Sequence, residues 1–172
     1  MNGPDIVAAA LNINAGFIDM ALEGLTDEDL TTQPNDQCNS IGWTLWHQFR
    51  VEDRIISSIS GRNQSWIDGG WHDKFGMPAD PDQVGIGDTM EQVSAFKASV
   101  ADLKDYSAAV REKTLAVLPT LSPEALDREL PAPGGTRKAG EYLGILMLDH
   151  FHHSGQVCYI RGYLTGKGWF PR

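Results

Sequence analysis

The chain has 172 residues, 41% of them hydrophobic and 22% charged, which suits one globular domain with a hydrophobic core. Its net charge of -9 argues against nucleic acid as a partner, because phosphate binding needs a basic surface. The sequence lacks the roughly 20 uninterrupted apolar residues of a membrane span and the basic start of a signal peptide, so we expect a single cytoplasmic domain over residues 1–172 with no membrane partner.

Four long helices are predicted in chain order. The first spans about Pro4–Leu25 and rests on apolar residues at helical spacing: Ile6, Ala10, Ile13, Phe17 and Met20 or Ala21. Thr26–Asp29 then suggests a short turn or a helix cap. The second helix spans about Ser40–Ser60, with Ser40 as its N-cap and Gly61 as its stop.

A long segment, Arg62–Asp88, follows the second helix and is predicted to be a loop. It contains five glycines and two prolines, together with Trp66, Trp71, His72 and Phe75. Loops of this length are usually functional or disordered, and the aromatic content argues against disorder. Two interpretations stay open: an aromatic clasp over the core, or a lid or wall of a pocket.

The third predicted helix spans about Thr89–Val117, and the fourth about Arg137–Leu164. Between them, Asp127–Gly135 is predicted to be a turn-rich connection, and no strand-like alternation persists anywhere. The fold class predicted is therefore all-α, a four-helix bundle with a long aromatic loop after helix two. Bundles of this kind build their sites from side chains on facing helices.

The fourth helix carries a carboxylate and an imidazole within an otherwise largely apolar face. That face follows a spacing of three or four residues through Tyr142, Ile145, Leu146, Asp149, His153, Gln156 and Ile160. An unpartnered buried carboxylate costs several kcal/mol or takes up a proton, whereas a metal ion would supply the missing positive charge. The i, i+4 spacing lets Asp149 and His153 reach one ion.

A third ligand is expected from another helix, and His47 is the candidate because it lies in the middle of helix two among tryptophans. His150 is the rival of Asp149, and it is otherwise a core residue or a neighbour of the site. His152 is expected on the surface or beside the ligands, and the loop residue His72 could close over the metal. A buried polar network without an ion is the remaining interpretation.

The two cysteines, Cys38 and Cys158, fit neither a disulfide framework nor a CxxC site. Cys158 lies in an apolar helical stretch, so we predict a small buried hydrophobic residue there.

Two motifs, Trp43–His47 in helix two and His152–Gln156 with Arg161 in helix four, resemble the DinB-like (damage-inducible) superfamily. That superfamily includes thiol-dependent transferases and mycothiol-dependent maleylpyruvate isomerases, and the resemblance covers nearly the whole chain. It implies a four-helix bundle with a three-His site for a divalent ion, commonly zinc or nickel. Matched onto this sequence, the first and last ligands are His47 and His153.

This sequence departs from the family pattern at two positions: Asp149 stands where the middle His is expected, and Ser154 stands in place of an Arg. Two neutral imidazoles and one carboxylate leave a divalent ion near +1, so the ion becomes a weaker Lewis acid. The set matches the two-His-one-carboxylate pattern of zinc hydrolases and ferrous enzymes, so iron is also a candidate.

The leading hypothesis is a metal-dependent enzyme acting on a small-molecule substrate. A low-molecular-weight thiol cosubstrate would attack an electrophile, or metal-activated water would attack in a hydrolytic version. Residues predicted to contact the ligands or the substrate are His150, Gln156, Arg161 and Trp46. The alternative is a non-catalytic, metal-stabilised bundle that binds a ligand or forms a homodimer.

Overall fold

A computed structural model describes residues 1–166 and 168–170 of the chain. Its long elements are α1 (Gly3–Leu22), α3 (Ile41–Ser60), α7 (Val100–Val117) and α9 (Ala139–Thr165), which form the predicted bundle. The shorter elements are α2 (Asp27–Thr31), α4 (Ser65–Asp68), α5 (Trp71–Lys74), α6 (Met90–Ala95), a 3-10 turn (Leu118–Thr120), α8 (Pro123–Asp127), β1 (Glu129–Ala132) and β2 (Gly135–Lys138). The all-α prediction is confirmed in outline, with one small hairpin added.

Helix α3 is the centre of the bundle, and 17 of its 20 residues are buried. Its predicted boundaries are confirmed: the Ser40 side chain caps the N-terminus, and Gly61 ends the helix at a φ of 71°. The helix packs against both α7 and α9. Because nearly its whole circumference is covered, its charged side chains need partners inside the protein.

Helix α1 buries a different face from the one that its apolar spacing suggested. Ile6 and Ile13 are 55% and 65% exposed, whereas Leu11 is fully buried and Asn14 is 4% exposed. The sequence has two apolar stripes, and spacing alone does not choose between them. The face that is buried includes Asn14 because its amide lies 3.3 Å from Nδ1 of His150 in α9.

The same helix is the one element within residues 1–166 and 168–170 that is long and apolar enough to cross a membrane by length and composition alone. Its most apolar 18-residue window has a mean hydropathy of 1.4. In the structure α1 packs along α9, and its buried side includes Leu11, Ile18 and Leu22. It therefore contributes a face to the bundle core.

The third predicted helix is two helices, because the chain is extended at Phe96 and helix α7 restarts after Ser99. Each helix has its own cap: Thr89 accepts a hydrogen bond from the backbone N–H of Gln92, and Ser99 accepts one from that of Asp102. The Ser99 cap is a helix start signal within the apolar pattern. The predicted continuous helix over Thr89–Val117 is therefore wrong at this point.

A β-hairpin, β1 and β2, replaces the end of the predicted turn-rich connection and the predicted start of helix four. The strands pair antiparallel from Glu129 with Lys138 to Ala132 with Gly135. Each strand has only four residues, so no alternation of apolar and polar residues is long enough to be recognised. Helix α9 consequently begins at Ala139, two residues after the expected Arg137.

The aromatic loop after α3 contains two short helices and packs into the core. Trp66 is fully buried, and Phe75 is 7% exposed. Asp53 of α3 accepts hydrogen bonds from the backbone N–H groups of Ser65 and Trp66, at 2.9 and 2.8 Å. Arg50 lies 4.5 Å from the centre of the Trp66 ring. The aromatic clasp describes this packing, and other residues of the segment, among them Met77 and Gln83, form part of the wall of a cavity of about 490 Å³.

Candidate metal centre

Three predicted ligands, His47, Asp149 and His153, come together between α3 and α9. Each offers one ligand atom, and these atoms lie within 4.8 Å of one another. Oδ1 of Asp149 is 3.5 Å from Nε2 of His47 and 3.5 Å from Nε2 of His153. All three side chains are buried or half-buried, so the group opens toward one side only.

The hydrogen bonds behind the two imidazoles determine which ring nitrogen faces the group. Nδ1 of His47 donates to the backbone carbonyl of Val84, and Nδ1 of His153 donates to Oε1 of Gln156 at 2.8 Å. In a neutral imidazole the other nitrogen, Nε2, then carries a lone pair and no proton. Both Nε2 lone pairs are therefore directed at the carboxylate of Asp149, which also has only lone pairs to offer.

With both imidazoles neutral, these three acceptors repel one another unless a proton or a metal cation lies between them. Oδ2 of Asp149 is buried and has no hydrogen-bond partner among the described residues. Metal-binding histidines usually have this arrangement, with the second ring nitrogen donating to a carbonyl or carboxylate. The donor set thus fits a divalent cation held by two nitrogens and one oxygen.

Without a metal ion, a proton shared with the imidazoles can take the place of the cation. Burial opposes the charge on Asp149, but the hydrogen bonds and charges of His153 and His47 outweigh it and lower the pKa of the carboxyl to about 2. Burial also opposes the charge on His153, but Asp149 and Gln156 outweigh it and raise the pKa of the imidazole. In the absence of an ion, a proton on His153 partly compensates the carboxylate.

The loop segment around Val84 and Gly85 supports His47 from behind. The Trp43 ring stacks on the His47 ring, with 5.3 Å between ring centres and 3° between ring planes. Gly85 has a φ of +87°, and a Cβ built on it would lie 2.6 Å from Cζ2 of Trp43 and 2.9 Å from Cζ3 of Trp46. Only glycine lets the backbone approach the indoles this closely and bring the Val84 carbonyl to His47.

We expect Gly85→Ala to lower stability by about 1–3 kcal/mol, because the new methyl group strains both the backbone and the packing on the indoles. The new methyl group should also displace the Val84 carbonyl. Because that carbonyl is the acceptor that orients His47, Zn²⁺ binding should weaken by about 10- to 100-fold. Urea unfolding and a chelator competition titration measure the two effects. Gly87→Ala is the matched control, because Gly87 also has a positive φ but nothing lies within 4 Å of its Cβ position.

His150, the rival ligand, belongs to a separate buried network. Its Nδ1 accepts from the side-chain amide of Gln48 at 2.8 Å, so its protonated Nε2 faces Glu52 at 3.0 Å. Both side chains are at most 1% exposed. Arg111 donates to both oxygens of Glu52, at 2.9 Å each. His150 thus connects α9 to α3 inside the bundle and does not join the group around Asp149.

The remaining candidates are separated by the fold. Trp46 is fully buried against Trp66 and Phe96, and Arg161 donates to the backbone carbonyl of Glu23 at 2.8 Å. The ring of His72 packs against Trp66 instead of closing over the ligands. His152 is exposed, and Gln156 is the candidate that contacts a ligand directly. Cys158 is half-buried, so the prediction of a fully buried residue is wrong, because it lies at the edge of the buried face of α9.

A groove of about 720 Å³ lies on the outer side of α9, and none of the three candidate ligands lines it. The segment before α3 forms one wall, and the outer part of α9 forms the other; lining residues include Asn35, Cys38, Asn39, Gln156, Tyr159 and Tyr163. Gln156 belongs to both features, because it lines the groove and accepts from His153. No residue of the loop Arg62–Asp88 lines this groove, so the predicted lid is not found there.

The fold and the site define a helical bundle with a candidate two-His-one-carboxylate metal centre that Gln156 links to a groove. The family model of the DinB superfamily matches residues 18–157, and the chain belongs to that superfamily. It is similar to a crystal structure described as the conserved protein of locus from Enterococcus faecalis. The TM-score is 0.87 and the identity 24%, over 97% of this chain and 99% of that one. A search of curated proteins gave no match. The structural likeness supports the fold alone.

Proposed function

We propose that the protein is a divalent-metal-dependent enzyme of the thiol S-transferase type, acting on small molecules in the cytoplasm. The observation that supports the proposal is the convergence of three possible ligand atoms within 4.8 Å of one another, linked through Gln156 to a groove. His47, Asp149 and His153 would hold the ion, which is expected to be zinc, nickel or iron. Three protein ligands are typical of catalytic sites that keep a position open.

A bound ion supplies Lewis acidity, which lowers the pKa of a thiol or of water beside it. The magnitudes favour a thiol. A thiol with a pKa of about 8.5 needs a decrease of only about 1.5 to ionise at neutral pH, whereas water, at about 15.7, needs a decrease of about 9. A carboxylate ligand makes the ion a weaker Lewis acid than three histidines do, so the smaller decrease suits this site better.

The protein's own groups would orient and shield the reactants. The Val84 carbonyl and Gln156 hold the two imidazoles in place, and Trp43 covers the outer face of the His47 ring. No Asp or Glu lines the groove among its described residues, so no carboxylate is at hand as a general base for water. This absence again favours a nucleophile that ionises without one, as a thiol does.

The test begins with metal analysis of protein purified without a His tag, for which we expect about one equivalent of zinc, nickel or iron. The loaded protein is then incubated with several low-molecular-weight thiols and electrophilic acceptors, and thioether formation is followed by mass spectrometry. We expect turnover that disappears on chelation and returns with the metal. Stoichiometric metal without turnover above that of free metal, for any pair, would argue against catalysis.

A non-catalytic, partner-binding bundle is the second candidate, and exposed apolar side chains favour it. Ile6 and Ile13 on α1 are more than half exposed, as is Leu148 on α9, and Phe151 is 48% exposed. Such patches often mark contacts between proteins, here a homodimer. If the ion is only structural, His47→Ala should lower the melting temperature of the metal-loaded protein sharply. If the ion is catalytic, that variant should lose turnover with a much smaller change in melting temperature.

A further inference from the structure

The groove that Gln156 links to His153 is lined mainly by uncharged side chains. Amide side chains line it at Asn35, Gln37, Asn39 and Gln156, the rings of Tyr159 and Tyr163 form a flat wall, and the imidazole of His152 is its ionisable member together with the thiol of Cys38. Among the described residues, no Lys, Arg, Asp or Glu contributes to its lining. In a chain with a net charge of -9 and 22% charged residues, a groove of this size without a formal charge is unusual.

Gln156 lines the groove and has an amide donor that no described residue engages. Its Oε1 accepts from Nδ1 of His153 at 2.8 Å, while its amide nitrogen has no hydrogen-bond partner among the described residues. A ligand acceptor that takes this hydrogen bond would therefore be held next to the imidazole of His153. Gln156 connects the binding of a ligand in the groove to the position of a candidate metal ligand.

The tyrosines give the groove a flat apolar wall. Tyr159 and Tyr163 are 74% and 60% exposed and lie four residues apart, so they stand one above the other on α9. The hydroxyl of Tyr163 donates to the backbone carbonyl of Pro34 at 3.3 Å, which ties α9 to the opposite wall. Exposed rings facing amide side chains suit a flat or ring-containing ligand whose polar groups are hydrogen-bond donors and acceptors.

We propose that this groove binds an uncharged ligand, with a ring against Tyr159 and a carbonyl or hydroxyl group hydrogen-bonded to Gln156. The inference rests on the proposed function in that this ligand is one of the two reactants. A carboxylate or phosphate in the same place would lose water without gaining a Lys or Arg partner among the described residues, and the acidic chain would repel it. The groove is therefore expected to bind an anion of the same shape more weakly than the uncharged ligand.

The test compares two probes of matched shape, 4-methylbenzamide and 4-methylbenzoate, by NMR titration of the protein. The measurement is made at high salt, which screens long-range repulsion, and is repeated in His152→Gln, which removes that imidazole from the groove lining. Both probes are titrated before and after metal removal, because a carboxylate can also bind a metal ion. We expect the metal-free protein to bind the benzamide about tenfold more tightly than the benzoate. This factor corresponds to the cost of leaving the benzoate charge without a partner in a partly solvated site.

Variants show whether the groove is responsible. Tyr159→Ala should weaken benzamide binding, whereas Phe151→Ala, an exposed aromatic on the same helix outside the groove lining, should not. Gln37→Lys should remove or reverse the preference by giving the benzoate a partner. Equal binding of both probes, no binding of either, or an unchanged affinity in Tyr159→Ala would overturn the inference. A protein without bound metal or without turnover would overturn the proposed function instead. The probe titration is independent of both results, because it needs neither the metal nor turnover.

Discussion

Replacing Asp149 with asparagine is expected to lower the affinity for Zn²⁺ by about 10²- to 10³-fold. Four-ligand zinc sites bind with about 10–16 kcal/mol, so each ligand contributes about 3–4 kcal/mol, which corresponds to that factor. The amide has nearly the same volume but carries no charge, and it offers a donor to the Nε2 atoms that now lie 3.5 Å from Oδ1. Competition with a chromophoric chelator measures the change.

The matched control for this experiment is His152→Gln. His152 is an exposed imidazole three residues from Asp149 on the same helix, so adventitious binding would involve it as readily as His153. We expect the control to bind Zn²⁺ as the unmodified protein does. The metal-free Asp149→Asn protein should unfold within a few degrees of the metal-free parent, because the new amide can donate to a neutral imidazole where the carboxylate accepted a proton from it. An unchanged Zn²⁺ affinity in Asp149→Asn would show that the Asp149 carboxylate is not a ligand of the ion.

The second large effect is expected at Glu52, whose replacement with glutamine should destabilise the protein by about 3–5 kcal/mol. Breaking a buried ion pair from one side costs about this much, because the remaining charge stays buried without its partner. Glu52 is 1% exposed and accepts from Arg111 at 2.9 Å and from the hydroxyl of Thr114 at 2.6 Å. Since domains are stable by only about 5–15 kcal/mol, urea unfolding should show a much lower midpoint.

The pH dependence of stability provides a second measurement of the same group. Burial opposes the charge on Glu52, but His150 and Arg111 outweigh it and lower the pKa of the carboxyl to about 2. Because the folded-state pKa lies below the ordinary glutamate value of 4.5, the stabilisation is complete above about pH 4.5 and is lost as the pH falls toward 2.

The Glu52→Gln protein should show a flatter pH profile across that range. Glu112→Gln, an exposed glutamate on α7, is the control and should unfold like the parent. If the stability of Glu52→Gln fell with acid as steeply as that of the parent, the acid-dependent stability could not be assigned to Glu52.

The sequence predicted those parts of the fold that depend on local chemistry. Ser40 and Gly61 mark the ends of α3, and the i, i+4 spacing of Asp149 and His153 puts both on one side of α9. These signals act over a few residues, so they can be recognised without knowing the tertiary structure. The prediction that His47 faces this pair needed only the assumption of a bundle with one site.

The parts that failed depend on contacts distant in sequence. The choice of buried face on α1 is made by Asn14 pairing with His150, 136 residues away, which no spacing pattern indicates. The support of His47 by Val84 comes from a backbone carbonyl, and every residue has one, so it leaves no signature. The groove wall before α3 is likewise formed by a loop whose position the helix pattern does not determine.

The distance along the chain between the candidate ligands has a consequence for protein abundance. His47 and Asp149 are 149 − 47 = 102 residues apart, and Val84, the acceptor behind His47, lies between them. An unfolded chain cannot hold these groups together, so the ion binds the folded state almost alone. Stability then rises with free metal concentration, by about 2.7 kcal/mol at a hundredfold excess over the dissociation constant. If the protein holds an ion as proposed, a cell that runs short of the metal would lose the polypeptide itself to proteolysis, and not only a metal-dependent activity.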